Sequence, residues 1–455
     1  MGQGGEVVII NATKYPFQLQ NAKGGYQMNS WSLPSTIAPG TSSGRIYIEF
    51  SQALGDTITD DAGNATYMIA DGANNPTFQV QARVPEVSEF VVELQCLTMD
   101  LSNTGFDPII LQQMDSSEDS DDWDCAKVVI AGTSTSEFYI GTNPPTDWMA
   151  TVYSDFQNRK LRQLCLPGSH DSGMSVTAHS TLWSNPSNTQ TQTLTIGQQL
   201  AAGIRYFDIR ASLFGSTYGT AHFSHVTAID SWQGSFGQTM NDIIEEVNSF
   251  TANNAELIIF DVSHGYDLTG YEDNNVTDFT KDQYTGLMQL LKQVNNRCTA
   301  IKDLDTDASE AKLKDFIGNN QASVLFVMRD TVAVLTDFAG QGFIQDSQLP
   351  LFNAYTDSDQ LDAVVQDQIM KLGQQRTSPD SPMFLAAWIE TLTSFGDNTS
   401  GNILANTVDL NNALFQELWN ACTTSSYPNV LQADGVDSTV TALAIAMNYV
   451  FGPSS

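Results

Sequence analysis

The sequence predicts an α/β chain in which a distorted (β/α)8 TIM barrel, residues 146–455, follows an all-β sandwich, residues 1–145. Three observations predict it. Residues 1 to about 140 carry short alternating segments separated by Gly, Asn, Asp and Pro clusters, the pattern of short strands and turns. Beyond "GTNPPTDW" (Gly141–Trp148), longer apolar runs alternate with helical stretches, as a parallel sheet with crossover helices requires. The unusual charged residues stand at the downstream ends of those runs, where a barrel places its reactive groups.

In the first texture, "FQLQ" at Phe17 and "RIYIEF" at Arg45 alternate. In "TFQVQARV" the residues Phe78, Val80, Ala82 and Val84 share one face. "EFVVELQCL", "PIILQQM" and "AKVVIAG" complete about seven or eight strands, which suggests an antiparallel sandwich. The run "DSSEDSDDWD" (Asp115–Asp124) is expected to be a solvated loop. As a calcium loop it has no known spacing and lacks the EF-hand glycine. Gly141–Trp148 is expected to be the linker.

In the second texture, "RQLCLPG", "GIRYFDIR", "AELIIFDVSHG", "SVLFVMRD", "PMFLAAWIE" and "YPNVLQAD" are strand candidates. Ile243, Ile244, Val247 and Phe250 mark one helical face between them. On that frame His170 and Asp171 follow the first strand, and Asp208 and Arg210 end the second. His222 and His225 fall in the loop after it. Ser263 and His264 end the third strand, Arg329 the fourth and Asp434 the last. Taken singly each has a structural reading: Arg329 pairs with Asp330, and Asp208 and Arg210 brace the rim. Their joint placement on one rim points to a site. His179 lies in a Ser/Thr/Asn-rich loop and is assigned no role.

Bulk properties narrow the function. Asp and Glu number 52 against 19 Lys and Arg, a formal charge of −33, which repels nucleic acid and anionic surfaces. The apolar fraction of 41% supports a full core, yet no run is long enough to span a membrane. "MGQGGEVVII" lacks the regions of a signal peptide, and Glu6 breaks the myristoylation pattern. Five scattered cysteines form no metal or disulfide framework, though Cys96 and Cys125 are placed to pair within one domain. An intracellular protein is favoured, while triplets such as Asn64-Ala-Thr keep secretion open.

Two histidines, aspartates and an arginine without clustered metal ligands suit phosphodiester cleavage by an internal hydroxyl. One His removes the hydroxyl proton, the other protonates the leaving oxygen, and Arg stabilises the phosphoryl oxygens. At these residues the chain resembles a family. "LPGSHDSGMS", "IGQQLAAGIRYFDIR", "AHFSHV" and "NAELIIFDVSHG" look like the X-domain of phosphatidylinositol-specific phospholipases C, in the bacterial single-barrel form and its fungal relatives, over about Tyr153–Tyr449.

The resemblance implies attack of the inositol 2-hydroxyl on the adjacent phosphodiester. His170 is then the general base oriented by Asp434, and His222 the general acid paired with Asp171. Arg210 holds the phosphoryl oxygens, and Asp208 lies against the second histidine or the substrate hydroxyl. Arg329 reaches the inositol ring or its phosphate, and Trp388 and Tyr449 wall the pocket. His225 competes with His222, and His222 is favoured. Ser263 and His264 stand where a basic ring-binding residue is expected. Arg210 occupies the place of a calcium-binding carboxylate in the metal-using enzymes, so no metal and no cofactor is expected. The implied partner is a lipid headgroup, with transient membrane contact. The alternatives are a lipid- or glycan-binding, toxin-like protein with a degenerate barrel, and a related phosphodiesterase acting on another headgroup.

Overall fold

The computed structural model describes residues 3–51, 62–84, 90–98, 107–114, 124–132, 141–329, 335–392 and 402–453. It divides into two compact units. One comprises Met1–Pro145, Asn411–Cys422 and Ala442–Phe451, the other Thr146–Leu410, Thr423–Thr441 and Gly452–Ser455.

The strands of the smaller unit are β1 (Gln3–Ala12), β2 (Phe17–Tyr26), β3 (Met28–Ser30), β4 (Thr36–Ile37), β5 (Ile46–Phe50), β6 (Ala62–Ile69), β7 (Thr77–Arg83), β8 (Phe90–Cys96), β9 (Ile109–Met114) and β10 (Cys125–Ala131). They form one sheet in the order β10-β1-β5-β3 and another in the order β4-β2-β6-β7-β8-β9. Alternation works as expected in β7, where Phe78, Val80 and Ala82 are buried. Val7, Ile9, Ile48 and Val128 of one sheet share a core with Phe17, Tyr67, Phe78 and Leu94 of the other. The unit is not wholly antiparallel, because β1 and β10 run parallel from Glu6↔Cys125 to Ala12↔Ala131. No hairpin links these two strands, so nothing imposes opposite directions on them. Cys96 and Cys125 are both buried and are not joined in a disulfide. The acidic run lies outside the described residues except for Asp124.

The larger unit adds β11 (Leu166–Ser169), β12 (Tyr206–Phe214), β13 (Thr217–Val226), β14 (Ser231–Thr239), β15 (Leu257–Gly270), β16 (Asn275–Asp278), β17 (Ser323–Met328), β18 (Phe343–Gln345), β19 (Leu351–Phe352), β20 (Met383–Trp388) and β21 (Val430–Ala433). Eight of them run parallel in the order β18-β17-β15-β12-β11-β21-β20-β19. Among the described residues no ladder joins β18 to β19, so the sheet is a curled, open barrel. Every residue of β17 and of β20 is buried, as expected of parallel strands covered on both faces. Phe207, Phe260, Phe326 and Phe343 stack across four neighbouring strands, with ring centroids 5.0, 5.5 and 5.2 Å apart. The helix Met240–Thr251 is capped by Thr239 and buries Met240, Ile243, Ile244, Val247 and Phe250. No helix among the described residues is long and apolar enough to cross a membrane.

Three local features differ from expectation. Trp148 is part of the core rather than a linker residue: its indole N–H donates to the Gly203 carbonyl at 2.9 Å. Asp208 and Arg210 lie inside β12, which continues to Phe214. The histidines of "AHFSHV" stand on β13, paired antiparallel with β14, rather than in a loop.

Candidate active site

The turn after β11 is built from its own sequence. The His170 N–H donates to the Ala433 carbonyl at 3.0 Å, and the Ser172 N–H to the Asp208 carbonyl at 2.8 Å. Asp171 sits between them at φ 41°, a left-handed conformation that Asp and Asn tolerate better than most residues. A side chain at Gly173 would lie 2.2 Å from Thr220 Oγ1, so only glycine lets the turn approach β13. The Gln192 amide donates to the carbonyls of His170 (2.8 Å) and Ala433 (3.1 Å), stapling the ends of β11 and β21 together.

These supports bring six predicted residues to one place. His170 Nδ1 lies 2.7 Å from Asp434 Oδ1, and His170 Nε2 lies 2.6 Å from Arg210 Nη2. Arginine can only donate, so Nε2 accepts, and Nδ1 carries the proton that Asp434 accepts. Arg210 stands 3.6 Å from both Asp171 Oδ2 and Asp208 Oδ2. Burial weakens the guanidinium's hold on its proton, but the Asp171 and Asp208 carboxylates more than offset this, and the net shift is upward. His222 Nδ1 lies 3.6 Å from Asp171 Oδ2 and 3.3 Å from the Thr189 carbonyl. Asp171 is fully buried and neither carboxylate oxygen has a hydrogen bond among the described residues. Burial pushes its pKa up to about 7, against the pull of Arg210. Burial, then Arg210 and His170, push His222 well below the ordinary histidine range.

The remaining predicted residues are placed differently. Ser263 donates to Asp208 Oδ1 at 3.4 Å. His264 is exposed at φ 49°, with Nδ1 2.8 Å from Ser263 Oγ. Arg329 is held by Asp261 at 2.5 Å, and the same carboxylate accepts the Tyr206 hydroxyl. Neither His264 nor Arg329 is among the residues lining the cavity. Trp388 does not wall it either. That side chain points into the core, 1% exposed, with its indole N–H bonded to the Leu410 carbonyl at 2.5 Å, because a wholly buried strand turns both faces inward. Tyr449 falls in the other compact unit. His225 is turned toward Asp230, 3.2 Å away, and packs on Trp232, whereas His222 lines the cavity.

The cavity holds about 240 Å³ and is lined by His170, Arg210, His222, Tyr355, Glu390 and Asp434, among others. Its size suits a single polar ring rather than a drug-sized or acyl ligand. Tyr355 and Glu390 were not legible as site residues. Tyr355 hydrogen-bonds to Arg210 and sets its ring edgewise to His170, centroids 5.8 Å apart. Burial pushes its hydroxyl pKa up. Burial likewise raises Glu390 to about 7, with Asp359, Asp409 and Asp434 adding to the effect and a hydrogen bond to Asn406 opposing it. Tyr355 follows a strand of only two residues, too short to show a pattern. The signal for Glu390 was its position two residues past the apolar run of β20.

No family model matches the chain. Bovine PI-PLC X domain-containing protein 3 is 29% identical over 219 residues, 43% of this chain and 61% of that protein. Mouse PI-PLC X domain-containing protein 2 is 34% identical over 142 residues, 26% of this chain and 39% of that protein. The chain thus spans about three-fifths of the length of the first of these relatives and less of the second. Among solved structures, the phosphatidylinositol-specific phospholipase C of Listeria monocytogenes aligns with a TM-score of 0.45 at 18% identity, covering 66% of this chain and 98% of that one. A variant of the Staphylococcus aureus enzyme aligns with a TM-score of 0.48 at 15% identity, covering 66% and 97%. In sequence this chain is similar to PI-PLC X domain-containing proteins over 26 to 43% of its length.

Proposed function

We propose that the barrel cleaves the phosphodiester of a phosphatidylinositol-type lipid by attack of the neighbouring inositol hydroxyl, giving a cyclic inositol phosphate and diacylglycerol. The observation that carries this reading is His170, fixed between Asp434 at 2.7 Å and Arg210 at 2.6 Å. Its Nε2 lone pair faces the cavity and is covered only by a donor that a phosphate would claim. An arriving phosphodiester takes the Arg210 donors, and His170 Nε2 is freed to remove the hydroxyl proton. The hydroxyl oxygen then bonds to phosphorus as the bond from phosphorus to the diacylglycerol oxygen breaks.

The leaving oxygen needs a proton. Asp171 and His222 are 3.6 Å apart, and burial raises the one and lowers the other, so a proton shared between them rests on the carboxyl. A phosphodiester anion in the cavity offsets the positive field of Arg210 at His222 and draws the proton to the imidazole, which delivers it. Arg210 supplies the fixed positive charge between Asp171 and Asp208, so the reading needs no metal there.

A membrane substrate also needs a docking face. From Ser172 to Ile204 no residue is Asp, Glu, Lys or Arg, although such residues are 16% of the chain. Within that stretch Leu182 is 87% exposed and Trp183 51%. The Trp183 N–H and carbonyl are tied to Gln233 and to Asn188, a cavity residue. This neutral apolar apron supports approach to a lipid surface that the net charge of −33 otherwise discourages. Incubation with labelled phosphatidylinositol, in detergent micelles and in neutral vesicles, should release a cyclic phosphate detectable by phosphorus NMR. No turnover in either form would sink the assignment.

A further inference from the structure

Strand order sorts the cavity by charge. His170, Arg210 and His222 come from β11, β12 and β13 or the turns after them. Asp357, Glu390 and Asp434 come from the segments after β19, β20 and β21, the neighbouring strands on the other side of β11. Arg210 is the only lysine or arginine among the described residues lining the cavity. Asp171 and Asp208 already face it at 3.6 Å.

We propose that Asp357 and Glu390 form a wall that reads the headgroup, taking ring hydroxyls as hydrogen-bond donors and rejecting a ring that carries any phosphate beyond the scissile one. This rests on the cleavage reading above and narrows its substrate class. A carboxylate accepts hydrogen bonds and cannot donate them when ionised, so hydroxyls suit it, a condition that Glu390 meets above about pH 7. A ring phosphate brings a charge near −2 at neutral pH, which no free cation in the cavity balances. The surroundings of Glu390 already resist one more negative charge, with Asp359, Asp409 and Asp434 nearby.

The wall is held in place rather than free to retreat. The Thr391 N–H donates to the Ser358 carbonyl at 2.8 Å, joining the two loops. The Gln368 amide donates to the Ala354 carbonyl at 2.9 Å, and Lys371 Nζ to the carbonyls of Ala354 and Tyr355 at 3.2 and 2.9 Å. Lys371 is moreover paired with Asp367 at 2.5 Å, so it does not neutralise the wall.

The test is calorimetric binding of myo-inositol 1-phosphate and myo-inositol 1,4-bisphosphate to the full chain, with turnover of phosphatidylinositol followed in parallel. The wild type should bind the monophosphate at least about tenfold more tightly than the bisphosphate. D357N/E390Q should narrow that gap by about tenfold, chiefly by improving the bisphosphate, and high salt should narrow it in the wild type. E390Q alone serves if a thermal melt shows the double variant unfolded. Equal affinities in the wild type, a gap unchanged in the variants, or no binding of either probe would each overturn the wall. A gap with no turnover would sink the cleavage reading and leave the wall standing. Turnover without a gap would sink the wall alone.

Discussion

Arg210 Nη2 stands 2.6 Å from His170 Nε2, and the guanidinium has only protons to give. The contact fixes the tautomer of the histidine, and on the proposed reading it would make one side chain both the cover of the base and the receiver of the phosphate.

R210K keeps the charge but loses the planar fork, so kcat/KM on phosphatidylinositol should fall by about a hundredfold or more. Wild-type activity should persist in a strong chelator. Loss of activity in chelator that calcium alone restores would move the protein to the metal-using branch and overturn the role of Arg210.

H222A should abolish turnover, whereas H225A should leave it within about threefold. The exposed His225 pair with Asp230 belongs to a class that contributes roughly 0–1 kcal/mol to stability. The reverse outcome, a dead H225A and an active H222A, would exchange their roles.

Stability should depend on the protonation of Asp171. Its folded pKa of about 7 lies above the unfolded value of about 4, so the folded state binds the proton more tightly. Stability is then greatest below about pH 4, falls as pH rises toward 7, and is level above it. Glu390 acts in the same direction. D171N removes the charge and keeps a residue that tolerates φ 41°. It should stabilise the protein at pH 8 by roughly 1–3 kcal/mol and flatten the slope in urea denaturation, while ending turnover. A slope as steep as that of the wild type would contradict the burial argument.

L182A/W183A removes exposed apolar surface without touching the cavity. Hydrolysis of zwitterionic vesicles doped with phosphatidylinositol should drop about tenfold, while a short-chain monomeric substrate is cleaved within about twofold of the wild-type rate. Equal losses on both substrates would remove the apron from the docking role.

Trp388 should matter to stability only. W388A should cost about 3–5 kcal/mol, and W388F less, since it mainly strands the Leu410 carbonyl. KM should stay unchanged in both variants.

Long apolar runs were the most legible part of the sequence. β12, β15, β17 and β20 are buried enough to write their positions directly into composition, and His170, Asp171 and Asp434 follow from the ends of such runs. Where tertiary pairing decides, the sequence was silent. β18 and β19 have three and two residues, below the length at which any periodicity exists. The residues that depend on them, Tyr355 and Asp357, were invisible for that reason. His222 was legible by motif but misplaced in a loop, because a polar, small-residue strand such as "TYGTAHFSHV" lacks the alternation of a half-buried one. Arg329 and Trp388 carried plausible positions on the rim. Only the structure reveals that Asp261 and the Leu410 carbonyl already hold them.

Among the described residues no ladder joins β18 to β19, which makes the sheet a spring with one open seam. One end of the spring and its middle share the cavity: Tyr355, Asp357 and Glu390 follow β19 and β20 at that end, while Arg210 belongs to β12 near the middle. The parallel path between these groups crosses β11, whose ladder to β12 has only the two pairs Gly168↔Tyr206 and Ser169↔Phe207. A headgroup gripped by Arg210 on one side and Tyr355 on the other would span that narrow join and act as a staple across it. Amide exchange in β19 and β11 should therefore slow on binding more than in β17, which is already laddered to β15 over six residue pairs and to β18 over three.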